Sequence, residues 1–433
     1  MESARKWVYW TLDTVKGRPV GRHYDEVRDA FRNGTDSKVT EEKLQKLLHH
    51  AADTTAFYHD MADAGTLSLD RFPVMNKAGY LENYDAHISE PYRDRPDNRT
   101  HQTSGSTGVP FTILQDKGKA ERCTACSLFI NGLGGYVLGD RQAFLRVWRV
   151  YKKSKIREIM ENLFPVNTVQ LDDAHMQEIC AFLKKKRIRS MIGYASSLAA
   201  LSDYIRDAGV DTSAFRVRSI IAISDLLSPA AREQLKQQFR CPVNSNYSNE
   251  ENGILAIQQG EEAYYFDSSS YVVELLDLES DAPAKEGEAG RIVLTDLHNY
   301  AFPMIRFDTG DTAVAVRKVD EKTGRTWLYF QELYGRRSDM IYDIHGIPVS
   351  PRAISANMHG ISGIRQWKFV QETKDTYCFY INADGTVDEN AFLPFFKDLL
   401  GTRVDVQYVE EIPVLASGKR KSTENRMTAA NQK

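Results

Sequence analysis

The spacing of apolar positions changes several times along the chain and predicts which segments are helices. Residues 41 to 63 have apolar side chains at helical intervals. The leucines of this pattern are Leu44, Leu47 and Leu48. The segment RFPVMNKAGYLENY that follows contains a proline and an asparagine typical of a turn, and it predicts a second, short helix. Residues 117 to 134 predict a third helix, so the first part of the chain is expected to be largely helical.

From residue 142 onward, short apolar runs alternate with amphipathic segments. QAFLRVW (142 to 148) and Ser219 to Ile223 resemble buried strands, whereas HMQEICAFLKKKRI and Pro229 to Phe239 have helical periodicity. A further short strand is predicted at Val243, followed by a polar turn. Such alternation predicts a largely parallel sheet with helices on its faces, and functional residues on the loops after the strand ends.

The pattern changes again at about Tyr264. Four stretches, YVVELLDL, GRIVLTDL, TAVAVRKV and RTWLYFQEL, predict strands joined by turns, in an antiparallel sheet or barrel. Gly335 to Ser338 resembles a boundary, because the chain then restarts with strand, helix and strand in the manner of a small α+β unit. We therefore predict an α/β fold with a large N-terminal part and a small C-terminal part.

Composition narrows the class of protein and of partner. The chain has 433 residues and a formal net charge of −3, from 56 basic and 59 acidic residues. No broad positive field is therefore available for nucleic acid. The five cysteines, an odd number, argue against a disulfide framework and for a reducing compartment. With no signal-peptide pattern and no run of about 18 apolar residues, we expect a soluble, cytoplasmic protein that binds a small partner and no membrane.

The stretch QTSGSTGVPFT, residues 102 to 112, is a candidate binding loop. It places four hydroxyl residues around two glycines, namely Thr103, Ser104, Gly105, Ser106, Thr107 and Gly108. Glycines let main-chain N–H groups converge on an anion and hydroxyls add donors, so the pattern fits phosphate binding. A polar surface loop has the same composition. A Walker loop and a nucleophile elbow are excluded, since neither GxxxxGK nor GxSxG occurs in this stretch.

Four further stretches follow this loop: CPVNSNYSNEENG, PMIRFDTGD, YGRRSDMI and IPVLASGKRKS. Together with the loop, they resemble the adenylate-forming acyl/aryl ligase superfamily, and within it the short members similar to phenylacetate-CoA ligases and capsule-biosynthesis adenylating proteins. The resemblance implies that the loop from Thr103 to Gly108 binds the β- and γ-phosphates of ATP. It also implies an N-terminal adenylation domain (1–335), a hinge (336–339) and a mobile C-terminal domain (340–433).

The resemblance also assigns roles to individual residues. Tyr247 would stack on adenine, and Glu251 would hold Mg²⁺, a hard cation that prefers carboxylate oxygens. Glu250 is the alternative for the metal, because the sequence departs from the usual motif at Ser248 and Glu250. Asp311 would accept hydrogen bonds from both ribose hydroxyls.

The last two motifs concern the hinge and the C-terminal part. Arg336 would reach the nucleotide, and Asp339 would be the pivot of the hinge. Lys419 would enter the active site as the catalytic residue, with Lys421 as the alternative.

These roles imply an ATP- and Mg²⁺-dependent enzyme that activates a small carboxylic acid as its acyl-adenylate and passes it to a thiol such as coenzyme A. The acyl pocket is predicted from Trp148, Tyr194 and Ile223, which favour an aromatic acid. No coenzyme A phosphate motif is recognisable, so an amine acceptor, a carrier protein or direct transfer of AMP stays open. A non-catalytic nucleotide-binding protein is a hypothesis of a different class, favoured by the departures from the family motifs at Ser248, Glu250 and Ser338. The expected partners include a second copy of the chain, as a homodimer.

Overall fold

The protein is seen in a computed structural model that describes residues 2–62, 65–102, 111–146, 158, 161–168, 172–260, 263–336, 340–349, 354, 357–358, 361–413 and 421–427. The chain forms two compact units. The first comprises residues 1–133, 246–258 and 262–333, and the second comprises residues 134–245, 259–261 and 334–433. The domain and hinge boundaries at residues 335 and 339 stay predictions.

Helices and strands are numbered in chain order. The α-helices are α1 (Glu2–Val15), α2 (Pro19–Asn33), α3 (Ser37–Thr54), α4 (Lys77–Glu82), α5 (Lys117–Leu133), α6 (Asp173–Lys185), α7 (Ala195–Asp207), α8 (Pro229–Phe239) and α9 (Leu393–Leu400). The strands are β1 (Arg99–Gln102), β2 (Thr112–Gln115), β3 (Gln142–Arg146), β4 (Leu163–Asn167), β5 (Ser190–Tyr194), β6 (Ser219–Ile223), β7 (Val243–Asn249), β8 (Gly253–Gln259), β9 (Tyr264–Phe266), β10 (Tyr271–Leu276), β11 (Gly290–Asp296), β12 (Phe307–Val319), β13 (Thr326–Arg336), β14 (Ile341–Tyr342), β15 (Pro348–Val349), β16 (Ile364–Gln371), β17 (Tyr377–Ala383), β18 (Val404–Tyr408) and β19 (Thr423–Asn425). Across the described ranges, no helix has the length and apolar character needed to cross a membrane.

The predicted helices of the first unit begin at polar capping residues. Asp36 caps α3, since its side chain accepts a hydrogen bond from the amide of Lys38 at 2.9 Å. The buried face of α3 includes Leu44, Leu47 and Leu48. Asn76 caps α4 in the same way, by accepting from the amide of Gly79 at 3.0 Å. The turn and short helix predicted around Asn76 are therefore present.

In the first unit, the strands lie in the order β10, β11, β12, β13, β9, β8 and β7. The pairs β10–β11, β11–β12, β13–β9 and β8–β9 are antiparallel. Their buried side chains form a core cluster that includes Leu255, Phe266, Ile292, Leu294 and Phe330. The change to antiparallel strands that the sequence predicts near Tyr264 is confirmed.

In the second unit, strands β7, β6, β5, β3 and β4 are neighbours in that order and pair in parallel. Helices α6, α7 and α8 contribute the apolar side chains that pack against this sheet. The fully buried members of the cluster include Leu183, Met191, Leu198, Ile220 and Leu235. The strand predicted at Ser219–Ile223 and the helix predicted at Pro229–Phe239 coincide with β6 and α8.

The polar turn predicted directly after Val243 was wrong. The chain continues as strand β7 as far as Asn249, and its first five residues are buried. In a sheet, the backbone N–H and C=O groups of a strand bond to the neighbouring strands whatever the side chains are. A strand can therefore include polar residues such as Asn244 and Asn246. The polar run therefore lies in the sheet, and the turn comes later.

The C-terminal part of the second unit forms a separate four-stranded sheet, in the order β18, β17, β16 and β19. Strands β16 and β17 are antiparallel, while β18 and β19 add in parallel on either side. Phe396 of α9 packs against Phe369 and Phe379 of this sheet. The predicted α/β fold class, with a small α+β part at the C-terminus, is confirmed.

His87 is a buried histidine among aromatic rings of the first unit. Its side chain has no exposed surface. Its ring centroid lies 4.0 Å from that of Phe57, 4.6 Å from that of Tyr80 and 5.9 Å from that of Phe302. Neither ring nitrogen hydrogen-bonds to another residue in the described part of the chain. Burial disfavours the charged imidazolium and lowers the pKa of His87 from 6.5 to about 4.

We predict that His87→Leu weakens the pH dependence of stability. Between pH 6.5 and about 4 the unfolded chain binds a proton at this residue that the folded protein excludes. The stability that neutral His87 contributes is therefore complete above pH 6.5 and is lost as the pH falls to about 4. The loss amounts to about 3 kcal/mol in the free energy of unfolding. Urea unfolding at several pH values measures the slope, with exposed His59→Leu as the control. Equal slopes for wild type and His87→Leu would contradict the prediction.

Candidate active site

The turn between β7 and β8 carries the two glutamates considered for the metal. Asn249 closes this turn, because its side-chain oxygen accepts a hydrogen bond from the amide of Asn252 at 2.7 Å. Glu250 is exposed, whereas the Glu251 side chain is only 3% exposed. The main-chain carbonyl of Glu251 accepts a hydrogen bond from the Gln115 side chain at 3.2 Å. The turn therefore presents one glutamate to solvent and buries the other.

Lys77, the first residue of α4, forms an ion pair with the buried carboxylate of Glu251. A buried carboxylate is costly unless a cation compensates its charge, and Lys77 supplies that cation. The Lys77 side chain is 28% exposed, so this partner keeps contact with water. No role for Lys77 is predicted from the sequence, because nothing in MNKAGYL distinguishes it from an ordinary surface lysine.

Asp311 in β12 contacts Tyr247 in β7. The Tyr247 hydroxyl donates a hydrogen bond to Oδ2 of Asp311 at 2.8 Å. The Asp311 amide donates to Oγ1 of Thr309 at 3.1 Å, and Gly310 has a φ of +76°, which glycine adopts without strain. The DTGD sequence therefore turns its backbone locally within β12 and directs Asp311 toward Tyr247. Two residues predicted to contact the nucleotide are brought together.

The Tyr247 ring is held by the core of the first unit. The residue is 9% exposed. Its ring meets that of Phe330 edge to face, with centroids 6.2 Å apart. Since both the ring and the hydroxyl have partners, the orientation of Tyr247 is fixed. Stacking on adenine stays a prediction.

A buried polar network adjoins the turn. Lys119 in α5 and Asp296 in β11 have no exposed side-chain surface and form an ion pair of 2.6 Å. Asp296 accepts a hydrogen bond from the Asn252 side chain at 3.4 Å, and the Tyr271 hydroxyl donates to the Asn252 carbonyl at 2.6 Å. Burial alone would lower the pKa of Lys119, but the Asp296 carboxylate, with smaller contributions from Cys123 and Tyr271, outweighs burial and holds the pKa well above its usual value. The ion pair between Lys119 and Asp296 therefore helps to fix Asn252, the residue that follows Glu251.

This buried network was not predicted from the sequence, although α5 contains one signal for it. Lys119 and Arg122 share the buried face of the helix with Cys126 and Phe129. Charged residues are almost never fully buried without a partner, so their helical spacing with apolar residues indicates buried ion pairs. The pattern does not identify the partner, because Asp296 lies far along the chain.

Two residues proposed for the acyl pocket lie side by side in the second unit. Tyr194 ends β5, Ile223 ends β6, and the two are partners in the parallel register. Ser224 follows with a φ of +75°, a conformation that costs energy for a residue other than glycine. The carboxyl ends of parallel strands are where ligands bind in α/β sheets. Arg336, at the end of β13, is exposed.

The other predicted site residues lie outside the described part of the chain. They are Thr103, Ser104, Gly105, Ser106, Thr107, Gly108, Trp148, Asp339 and Lys419. Lys421 is described and is partly exposed. The roles of all these residues stay predictions from the resemblance.

The chain is similar to known proteins in sequence and in fold. No protein-family model matches it. It is 18% identical to Protein CapK of Staphylococcus aureus, over 94% of this chain and 93% of that protein. It is 22% identical to the phenylacetate-coenzyme A ligase of Thermus thermophilus, over 83% of this chain and 82% of that protein. A crystal structure of 2-hydroxyisobutyryl-CoA ligase in complex with R3-HIB-AMP matches with a TM-score of 0.68 and 17% identity over 91% of each chain. The resemblance to the adenylate-forming superfamily is confirmed.

We predict that Lys119→Met strongly destabilises the protein. Removing the lysine leaves the Asp296 carboxylate buried without a cation, which typically costs about 3 to 5 kcal/mol in the free energy of unfolding. Urea unfolding measures the change. Lys119→Met combined with Asp296→Leu should recover much of the loss, because neither member of the pair then leaves a charge buried without its partner. Lys285→Met, which breaks a pair whose lysine is 82% exposed, is the control and should leave the unfolding midpoint nearly unchanged. A midpoint for Lys119→Met equal to that of the control would refute this account of the network.

Proposed function

We propose that the protein is an ATP- and Mg²⁺-dependent ligase that activates a small carboxylic acid as its acyl-adenylate and transfers the acyl group to a thiol such as coenzyme A. The resemblance of its motifs to the adenylate-forming ligases and the likeness in fold support this proposal. The observation that carries it is the hydrogen bond between Tyr247 and Asp311. It joins the proposed adenine motif to the proposed ribose motif, 64 residues apart in sequence.

Asp311 suits the ribose role in its chemistry. A carboxylate offers about four lone-pair positions on two oxygens, so it can accept from Tyr247 and from vicinal hydroxyls together. Its backbone is fixed by Thr309 and Gly310 and its side chain by Tyr247, which lowers the entropy lost on binding. Tyr247 would thus both line the adenine position and orient Asp311.

Glu251 fits the metal role better than Glu250 does. Glu251 is buried and already lies against a positive charge, whereas Glu250 faces solvent. Although no cluster of three or more metal-ligating side chains occurs among the described residues, Mg²⁺ at nucleotide sites is commonly held by one or two carboxylates together with substrate phosphates. When bound, Mg²⁺ would neutralise the charge of the phosphates.

The reaction needs charge stabilisation more than acid or base catalysis. A carboxylate oxygen of the substrate attacks the α-phosphorus of ATP, an O–P bond forms, and pyrophosphate leaves. The loop from Thr103 to Gly108 and the ammonium of Lys419 would stabilise the negative charge that develops on the phosphates. A thiolate then attacks the acyl carbon and AMP leaves, after rotation of the C-terminal part about Asp339 has exposed the adenylate. Arg336 would contact the nucleotide.

The pocket residues favour an aromatic acid as substrate. Tyr194 and Ile223 lie at adjacent strand ends, where ligands of α/β proteins bind, and Trp148 is proposed to complete the pocket. A flat ring fits a site lined by aromatic and branched side chains.

We predict that Lys419→Ala lowers carboxylate-dependent exchange of pyrophosphate into ATP by about a hundredfold, because one preformed donor is lost from the transition state. ATP binding should change little. A panel of aryl and aliphatic acids in the wild-type assay identifies the substrate, and Lys421→Ala is the matched control. Wild-type exchange in Lys419→Ala, with loss in Lys421→Ala, would move the catalytic role to Lys421. No exchange with any acid would instead support a non-catalytic nucleotide-binding protein.

The product of the second half reaction tests the acceptor. With coenzyme A and an active acid from the panel, we expect a thioester and AMP in equal amounts, measured by mass spectrometry. An N-acyl product formed with amines, and no thioester, would assign the amine alternative. A protein that carries covalent AMP would instead indicate AMP transfer.

We predict that Asp311→Asn weakens ATP binding about tenfold or more, since a hydrogen bond to a charged group is worth about 1.5 to 3 kcal/mol. Asparagine keeps the shape and can still accept from Tyr247, so folding should be preserved. Calorimetric titration measures the affinity. A 2′,3′-dideoxy analogue of ATP is the control, because it lacks the proposed partner hydroxyls and should bind both proteins similarly. Equal losses for both nucleotides would argue against a ribose contact.

A further inference from the structure

Lys77 is held in place by its local structure. Asn76 caps α4 directly before it. On the other side of the cap, the Met75 amide donates to the Arg306 carbonyl at 2.9 Å, and the Asp308 amide donates to the Met75 carbonyl at 2.8 Å. These bonds tie the start of α4 to the beginning of β12, the strand that carries Asp311. The backbone that carries Lys77 is therefore fixed relative to the proposed ribose motif, while the lysine side chain keeps its own freedom.

The pair between Lys77 and Glu251 is unsymmetrical in its exposure. The Glu251 side chain is 3% exposed and the Lys77 side chain 28%. The carboxylate therefore depends on a neighbouring cation, whereas the ammonium can be solvated if it leaves. Within the described residues, Lys77 is the side chain that forms an ion pair with Glu251. The carboxylate proposed as the metal ligand is thus already occupied by a positive charge.

We propose that Lys77 is the resident counter-cation of Glu251 and that the divalent cation arriving with the nucleotide displaces it. This inference rests on the proposed function. An ammonium and a divalent cation cannot both contact one carboxylate oxygen without strong repulsion, because like charges a few ångströms apart interact strongly where water is scarce. The ion pair is therefore broken when metal binds, and its energy is subtracted from the metal affinity. Lys77 in this way opposes the binding of a free metal ion to Glu251 and favours the binding of a metal ion that arrives with nucleotide phosphates.

Binding of Mn²⁺ to the full chain, followed by electron paramagnetic resonance of free Mn²⁺, tests the proposal. The titration is done with and without a non-hydrolysable ATP analogue. Lys77→Met should bind Mn²⁺ about tenfold more tightly than wild type, because the competing charge is gone. Glu251→Gln should lose this binding. Lys43→Met is the matched control, since Lys43 is 25% exposed and also pairs with a glutamate, Glu26.

Thermal unfolding in the absence of nucleotide is a second, independent measurement. With a chelator present, Lys77→Met should unfold at a lower temperature than wild type, and Mn²⁺ should raise its midpoint more than that of wild type. Combining Lys77→Met with Glu251→Gln should restore the midpoint and abolish the Mn²⁺ effect, because residue 251 is then neutral and no longer needs a cation. Lys77→Gln, which keeps a hydrogen-bond donor, provides a variant if the methionine form does not fold.

The outcomes separate this proposal from the function on which it rests. Unchanged Mn²⁺ affinity in Lys77→Met and Lys77→Gln, with normal binding of the ATP analogue, overturns the Lys77 proposal alone. Mn²⁺ binding that survives Glu251→Gln also overturns it. If wild type binds no nucleotide, the proposed function fails, and the unfolding measurement still decides whether a divalent cation and Lys77 compete for Glu251.

Discussion

Two buried carboxylates stand at the turn between β7 and β8, and each needs a cation. Asp296 is paired with Lys119 and Glu251 with Lys77. An uncompensated charge at either position would cost more than most single contacts contribute to stability. The backbone of the turn is fixed through Asn252, which contacts Asp296 through its side chain. The position of Glu251 is therefore a consequence of charge compensation as much as of apolar packing.

The antiparallel sheet of the first unit makes this compensation geometrically possible. In the register of β10 and β11, Tyr271 lies directly opposite Asp296. Cross-strand partners in such a sheet have neighbouring side chains, so a single lysine from α5 reaches both. The Tyr271 hydroxyl in turn donates a hydrogen bond to the Asn252 carbonyl. A few polar atoms thus link strands β10 and β11, helix α5 and the turn between β7 and β8. A shift of one residue in the register of β10 and β11 would move Tyr271 and Asp296 apart.

The sequence predicts the parts of the fold that local periodicity governs. The leucine face of α3, strand β6 and helix α8 all follow from spacing and from caps such as Asp36. Local patterns fail where long-range pairing decides. The polar run in β7 suggested a turn, yet its backbone is paired in a sheet. Nothing in the sequence around Lys77 or Asp296 indicates its role, because the role of each depends on an ion-pair partner far away in the sequence. Tyr247 and Asp311 were identified by resemblance, and their mutual contact could not have been derived from either motif alone.

The two ion pairs differ in the exposure of their lysines, and the proposed role of Glu251 depends on that difference. Lys119 and Asp296 are both completely buried, so neither charge can leave its partner without losing all compensation. This pair is permanent while the protein is folded. In the other pair only the carboxylate is buried, and the lysine retains contact with water. When another cation takes its place, the ammonium of the partly exposed lysine can be hydrated, so the main cost of the exchange is the loss of the ion pair itself. A site that must accept a cation reversibly requires that asymmetry, and a site that only holds a turn in place does not.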